Sequence, residues 1–286
     1  MLREIRELGF EYAELSHGIR ITLLPGIFEA VDAGEIKISS LHNFCPLPMG
    51  VTHAAPNLFK FSSTDKREWE SAYRHSVKTI ETAARVNAPV VVLHMGRIDM
   101  RIYTDKLVEM LERGERETEK FQKLCDAAYE KREDKKEKAV KLANQMLERL
   151  IAVAEPLGIK LGVENREALE EIPIDSDFRS FFKEFTSPTV IYWHDCGHAQ
   201  IKENLGFINH RFHLESMVPR LGGFHVHDVK LPARDHCAPG TGVINYTELK
   251  ASVKPEHIKV FELHPSVPVE EVNAGVAHIK SIWGPE

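Results

Sequence analysis

Short runs of β-branched and aromatic residues recur along the chain, each ending in polar residues and followed by a stretch of helical periodicity. The runs are EYAELS (11–16), IKISSLH (36–42), PVVVLHMG (89–96), IKLGVEN (159–165), TVIYWHD (189–195), GFHVHD (223–228) and IKVFELH (258–264). Strands that alternate with helices pair in parallel through crossover helices, which predicts an α/β fold. Between them, Asp65 with Glu68 three residues on reads as a capping box opening a helix whose apolar positions are Trp69, Tyr73, Val77 and Ile80. A second stripe runs through Val140, Ala143, Leu147, Leu150 and Ile151 and stops at Pro156 and Gly158. Residues 130–138 are wholly charged with both signs interspersed, the pattern of a solvated helix face.

Seven strands are legible, whereas a closed β/α barrel needs eight. Leu2, Ile5, Leu8 and Phe10 read as the helix that follows a first strand, and another helix is expected over about 269–283. The expectation is a TIM-type (β/α)8 barrel over residues 1–286, one domain, with the first strand not represented. Either a seven-stranded sheet with a gap or one completed by a substitute strand from elsewhere should result, and the open edges suggest a homodimer.

Composition narrows the setting. The 286 residues are 43% hydrophobic and 28% charged, enough apolar surface for a core and enough charge to cover it. No run approaches the roughly 20 apolar residues that span a bilayer. The opening MLREIRELGF lacks a signal peptide's apolar centre, and no C-x-x-C occurs among Cys45, Cys125, Cys196 and Cys237. These features predict a cytoplasmic protein with reduced thiols and no membrane partner. A net charge of −6 argues mildly against a nucleic-acid surface.

Candidate chemistry lies where the acids and histidines fall. His42, His94, Glu164, Asp195, His225 and Glu262 each sit at or near the C-terminal end of a different strand, the end where β/α-barrel active sites form. A lone strand-end histidine is more often a hydrogen-bonded loop residue than a ligand. Glu164 and Glu262, however, stand in otherwise apolar strands, where a carboxylate calls for a cation partner. Arg166 and Lys230 are alternative cations. Carboxylates and imidazoles without a cysteine cluster suit Zn²⁺, Mn²⁺ or Co²⁺. His198 follows Asp195 by three residues, His236 lies in RDHCAPGTG, and strand periodicity gives His225 and His227 a common face. His194 should point away from Asp195, and His17, His53, His75, His210, His213, His257 and His278 read as solvent or packing residues; His264 lies just beyond the last strand.

The order LHNFCP, VVVLHMG, GVENRE, HDCGHAQ, FHVHDVK, DHCAPGTGVINY and FELHP resembles the xylose isomerase-like barrel superfamily, which contains sugar isomerases and epimerases and the apurinic endonuclease IV family. The resemblance implies a mononuclear metal set of Glu164, Asp195, His225 and Glu262, with Glu164 and Glu262 also the proton-transfer pair. It places His198 in the adjacent substrate or second-metal position. Arg166, His227 and Lys230 are further candidates for holding substrate. The endonuclease IV pattern would add His42, His94, His198 and His236 as ligands, up to three zinc ions in all, although Arg234 stands where that pattern has an aspartate.

Three functions are therefore open. The first is an isomerase or epimerase of a small sugar or sugar phosphate, in which one Mn, Zn, Co or Mg ion polarises a carbonyl and lowers the cost of an enediolate. The second is a zinc phosphodiesterase acting on DNA or a small phosphoester. The third is a barrel that binds carbohydrate or metal without turnover.

Overall fold

The computed structural model describes residues 2–284. Seven parallel strands form one sheet in the order β1 (Tyr12–Leu15), β2 (Lys37–His42), β3 (Val90–Leu93), β4 (Lys160–Glu164), β5 (Val190–Asp195), β6 (Leu221–Val226) and β9 (Ile258–Phe261). These are the seven runs read from the sequence, and the seven-stranded count is as expected. A hairpin was not foreseen: β7 (Asp228–Lys230) and β8 (Arg234–Cys237) pair antiparallel after β6. Its short polar strands give little periodic signal.

Two compact units can be distinguished. One holds the chain up to Arg97 together with Lys138–Glu164 and Lys183–Ile191; the other holds Ile98–Glu137, Asn165–Phe182 and the chain from Tyr192 onward. In the first, β3 is buried at every position and β4 at all but Lys160, so both faces are covered and the strands read as continuous apolar runs. The register pairs Leu41 with Val91 and Leu93 with Val163. That register brings His42, His94 and Glu164 to the same end of the sheet. In the second unit, Asp195 pairs with His225 and His225 with Val260, two residues before Glu262.

The helix Lys66–Arg85 starts as expected at Asp65, whose side chain accepts the amides of Arg67 and Glu68. The reciprocal arm differs: Glu68 accepts the Lys60 amide and the Ser63 hydroxyl rather than closing on Asp65. Its buried face is also rotated from the expected stripe. Ala72, Ser76, Thr79, Ile80 and Ala83 are buried, because small side chains let the helix approach β2 closely. Trp69 and Tyr73 are half-buried and instead cover the Arg149 guanidinium, 4.8 and 3.7 Å from the ring centroids. Ser76 and Thr79 bond the Asn43 side chain at 2.8 and 2.9 Å, fixing the residue that follows His42.

The stripe Ala143, Leu147 and Leu150 is buried on a single helix, Glu119–Ala154, whose chain leaves through a left-handed Gly158. The charged segment 130–138 lies on this helix but is not wholly solvated. Arg132 is fully buried, donating to the carbonyls of Leu169 and Glu171 and pairing with Asp177. It tethers the loop after β4, and Lys136 adds a second bond to Asp177. Charge pattern alone cannot distinguish an arginine that receives loop carbonyls from one that faces water.

Removing one partner of a buried, hydrogen-bonded charge leaves the others unsatisfied, so Arg132→Met should cost about 3–5 kcal/mol of stability in urea unfolding. The exposed neighbour Lys131→Met should stay within about 0.5 kcal/mol. Equal effects would place Arg132 on the solvated face.

Candidate metal centre

The first unit gathers His42, His94 and Glu164, whose ligand atoms lie within 4.8 Å of one another. Glu164 ends β4 and is 1% exposed. Its Oε2 lies 2.7 Å from His94 Nε2 and 3.7 Å from His42 Nε2. His42 Nδ1 is 2.9 Å from the Asn43 carbonyl, which can only accept, so that nitrogen carries the proton. In the neutral ring, Nε2 then offers its lone pair towards the carboxylate. His94 Nδ1 is held at 2.8 Å by Asn57. An imidazole anchored through one nitrogen and presenting the other is the arrangement metal ligands adopt. His17, assigned to packing from the sequence, packs edge-on against His42 with ring centroids 4.7 Å apart. It follows β1 as His94 follows β3, and that position was the available signal.

The second unit gathers Asp195, His225 and Glu262. Asp195 ends β5, is fully buried and caps the helix Cys196–Leu205 by accepting the His198 amide. Asn165 clamps its backbone in both directions, accepting the Asp195 amide at 2.7 Å and donating to its carbonyl at 3.0 Å. Burial disfavours the Asp195 carboxylate, yet the His198 and His227 rings and hydrogen bonds from His225 and His227 hold its pKa well below the usual range. His225 Nδ1 lies 3.0 Å from Glu262 and 3.7 Å from Asp195. Two carboxylates share one imidazole nitrogen, a concentration of negative charge suited to a cation.

The remaining candidates fall beside this group. His198 Nδ1 donates to the Asn165 carbonyl at 3.0 Å and lies 3.4 Å from Arg166 Nη1. With Glu167 and Asp235 it forms another group of ligand atoms within 4.8 Å. Glu167 is raised from its ordinary pKa by burial. Arg166 is buried and paired with Glu171 at 3.0 Å. His236 sits 3.1 Å from Asp235 and 3.8 Å from Glu262. Burial opposes its charged form, but these two carboxylates outweigh it and raise His236 to about 11. Lys230 and Arg234 are exposed on the hairpin.

The amides of Gly240 and Gly242 are engaged within the protein. Asp228, fully buried, accepts the amides of Val229, Gly240, Gly242 and Ile244 at 2.8–3.1 Å. A β-carbon at residue 242 would stand 2.2 Å from the Val229 carbonyl, so the wrap requires glycine. Asp228 ended a predicted strand, and nothing in its spacing signalled this role.

The family-model comparison matches residues 2–282 to the xylose isomerase-like TIM barrel. The chain belongs to that family. Its fold resembles an Escherichia coli 3-keto-D-glucoside 4-epimerase in the apo form (TM-score 0.69, 15% identity, 98% of this chain and 92% of that one). It also resembles a D-tagatose 3-epimerase-like protein (0.69, 18%, 98% and 90%) and the Clostridium cellulolyticum H10 D-psicose 3-epimerase crystallised with D-tagatose (0.67, 12%, 99% and 93%). At such identities the likeness is one of fold. No curated protein matches the sequence. Among the described residues of this xylose isomerase-like barrel, no helix is long and apolar enough to cross a membrane.

On the opposite face of β5, as alternation requires, His194 bonds Tyr192 Oη at 2.9 Å and His210 Nε2 at 2.9 Å, while Tyr192 Oη also meets His213 at 2.8 Å. Asp175 pairs with both His213 and Lys202. Burial lowers His210 to about 3, with His213 and Lys202 adding to the effect, and lowers His213 to about 4 against the opposing pull of Asp175. Unfolded histidine titrates near ~6.5, so below that pH the unfolded chain binds more protons than the folded one. Stability should therefore be full above about pH 6.5 and fall progressively towards pH 3–4. His213→Gln should flatten this fall in denaturant midpoints between pH 7 and 4; an unchanged slope would contradict a neutral buried His213.

Proposed function

We propose that the chain is a divalent-metal-dependent isomerase or epimerase of a small sugar or sugar derivative. The observation that carries the reading is the burial of Glu164 and Asp195 at strand ends, each facing imidazole nitrogens, with Glu262 sharing His225. Family membership and the likeness of the fold to a sugar epimerase and an epimerase-like protein support it.

In this reading Glu164, Asp195, His225 and Glu262 hold one ion of manganese, zinc, cobalt or magnesium. When bound, that ion supplies Lewis-acid polarisation of a carbonyl and its neighbouring hydroxyl. The protein's own groups do the rest. Glu164 and Glu262 remove a proton from substrate carbon and return it. Asp195 fixes the ion's position through its clamped backbone. His198 and Arg166 hold substrate oxygens, with Arg166 already oriented by Glu171. The four cysteines are buried and unbonded, which suits a reducing compartment such as the cytoplasm. The whole chain acts as one catalytic domain.

A second reading has its own support. His42 and His94 converge on Glu164 as a further ligand group, which a mononuclear isomerase does not require. Together with His198 and His236 they favour a multinuclear phosphodiesterase, against which stands Arg234, exposed where a ligating aspartate would be needed.

Incubation with a panel of ketoses and divalent ions in D2O, followed by NMR, tests the first reading. Wild type should exchange a carbon-bound proton. Glu164→Gln and Glu262→Gln should each lose about 10²–10⁴-fold in exchange while folding normally. Full exchange in both variants would refute the assignment, and cleavage of an abasic-site duplex by wild type would establish the second reading instead.

A further inference from the structure

His227 shares the face of His225 two residues further along and is completely buried. Its Nδ1 accepts the backbone N–H of His236 at 2.9 Å. An accepting ring nitrogen carries no proton, so in the neutral ring the proton sits on Nε2. That nitrogen faces both Asp195 oxygens, at 3.1 and 3.0 Å. The ring is further held by stacking on His236, with centroids 4.2 Å apart and planes 11° from parallel. Space for it exists only because residue 197 is glycine: a β-carbon there would stand 2.1 Å from His227 Cε1.

We infer that His227 is a positioning residue that aims the Asp195 carboxylate at the metal and ties it, through the His236 amide, to the β7–β8 hairpin. The inference rests on Asp195 being a metal ligand. His227 was expected to face substrate, but both of its ring nitrogens have protein partners. A directed N–H bond restricts the carboxylate to one orientation before any ion arrives, so less ordering remains to be done on binding. The hairpin carrying Asp235 and His236 is linked to the same carboxylate by two hydrogen bonds in series, so displacement of β8 is felt at Asp195.

Titration of the full chain, freed of metal by chelation, with Co²⁺ and observation of its visible absorption band tests this. His227→Leu should weaken cobalt binding by about 10–100-fold and alter the band. His227→Gln, whose amide can both donate to Asp195 and accept from the His236 N–H, should recover most of the loss. Thermal unfolding without cobalt separates these effects from loss of fold. Should the leucine variant not fold, Gly197→Ala displaces the ring with its chemistry intact and should weaken cobalt in the same direction. Cobalt affinity and band equal to wild type in a folded His227→Leu protein would overturn the positioning role alone, provided Asp195→Asn weakens binding. Undiminished binding by Asp195→Asn, or none by wild type, would overturn the ligand reading and this inference with it.

Discussion

The structure turns on two carboxylates, Glu164 and Asp195, buried at the ends of parallel strands. A lone ionised carboxylate in such a place is prohibitively costly, so every feature around it must supply positive charge or N–H donors. Asp195 shows the extent of this demand. It receives the amide that begins a helix and an imidazole N–H from His227, while its own backbone is clamped by Asn165. These bonds satisfy part of the charge and leave an arrangement to which a cation can add. Glu164 faces imidazoles whose other nitrogens are held by Asn43 and Asn57, so the nitrogens turned towards it are placed to share a cation with the carboxylate.

Support for these groups reaches well away from the strand ends. The small-residue face of the helix Lys66–Arg85 approaches β2 closely enough for two hydroxyls to hold Asn43, which in turn anchors His42. Arg132 does comparable work for the loop after β4, gathering Leu169, Glu171 and Asp177, and Glu171 then orients Arg166. Asp228 closes the 240–244 loop around itself. Each centres on a buried polar group bonded by backbone, by hydroxyls or by an opposite charge, with Arg132 Nε alone among these atoms left without a partner, and such networks specify one geometry because losing partners in the interior is so unfavourable.

Much of this was legible in the sequence because its physics is local or periodic. The seven strands follow from short β-type runs that end in polar residues, of which β3 and β4 are buried on both faces, and the strand-end acids and histidines could be named from their position in each run. Asp65 as a cap needed only its neighbours. What could not be read depends on three-dimensional partners. Arg132 has the same sequence surroundings as its solvated neighbours and differs only in meeting loop carbonyls. The hairpin is too short to carry a period. His227 shares a face with His225 by alternation, but its turn towards Asp195 depends on the absent side chain at Gly197 and on a backbone amide nine residues away. The histidines behind β5 looked like packing residues one by one, and only their mutual bonds make them a network.

The central claim is that these buried carboxylates and imidazoles exist to hold a divalent ion. Elemental analysis of protein purified without chelators, with atoms per chain determined against protein concentration, tests it most directly. The account predicts about one tightly held manganese, zinc, cobalt or magnesium ion per chain. Protein that retains no metal, and takes none up on reconstitution with any of the four, would contradict it.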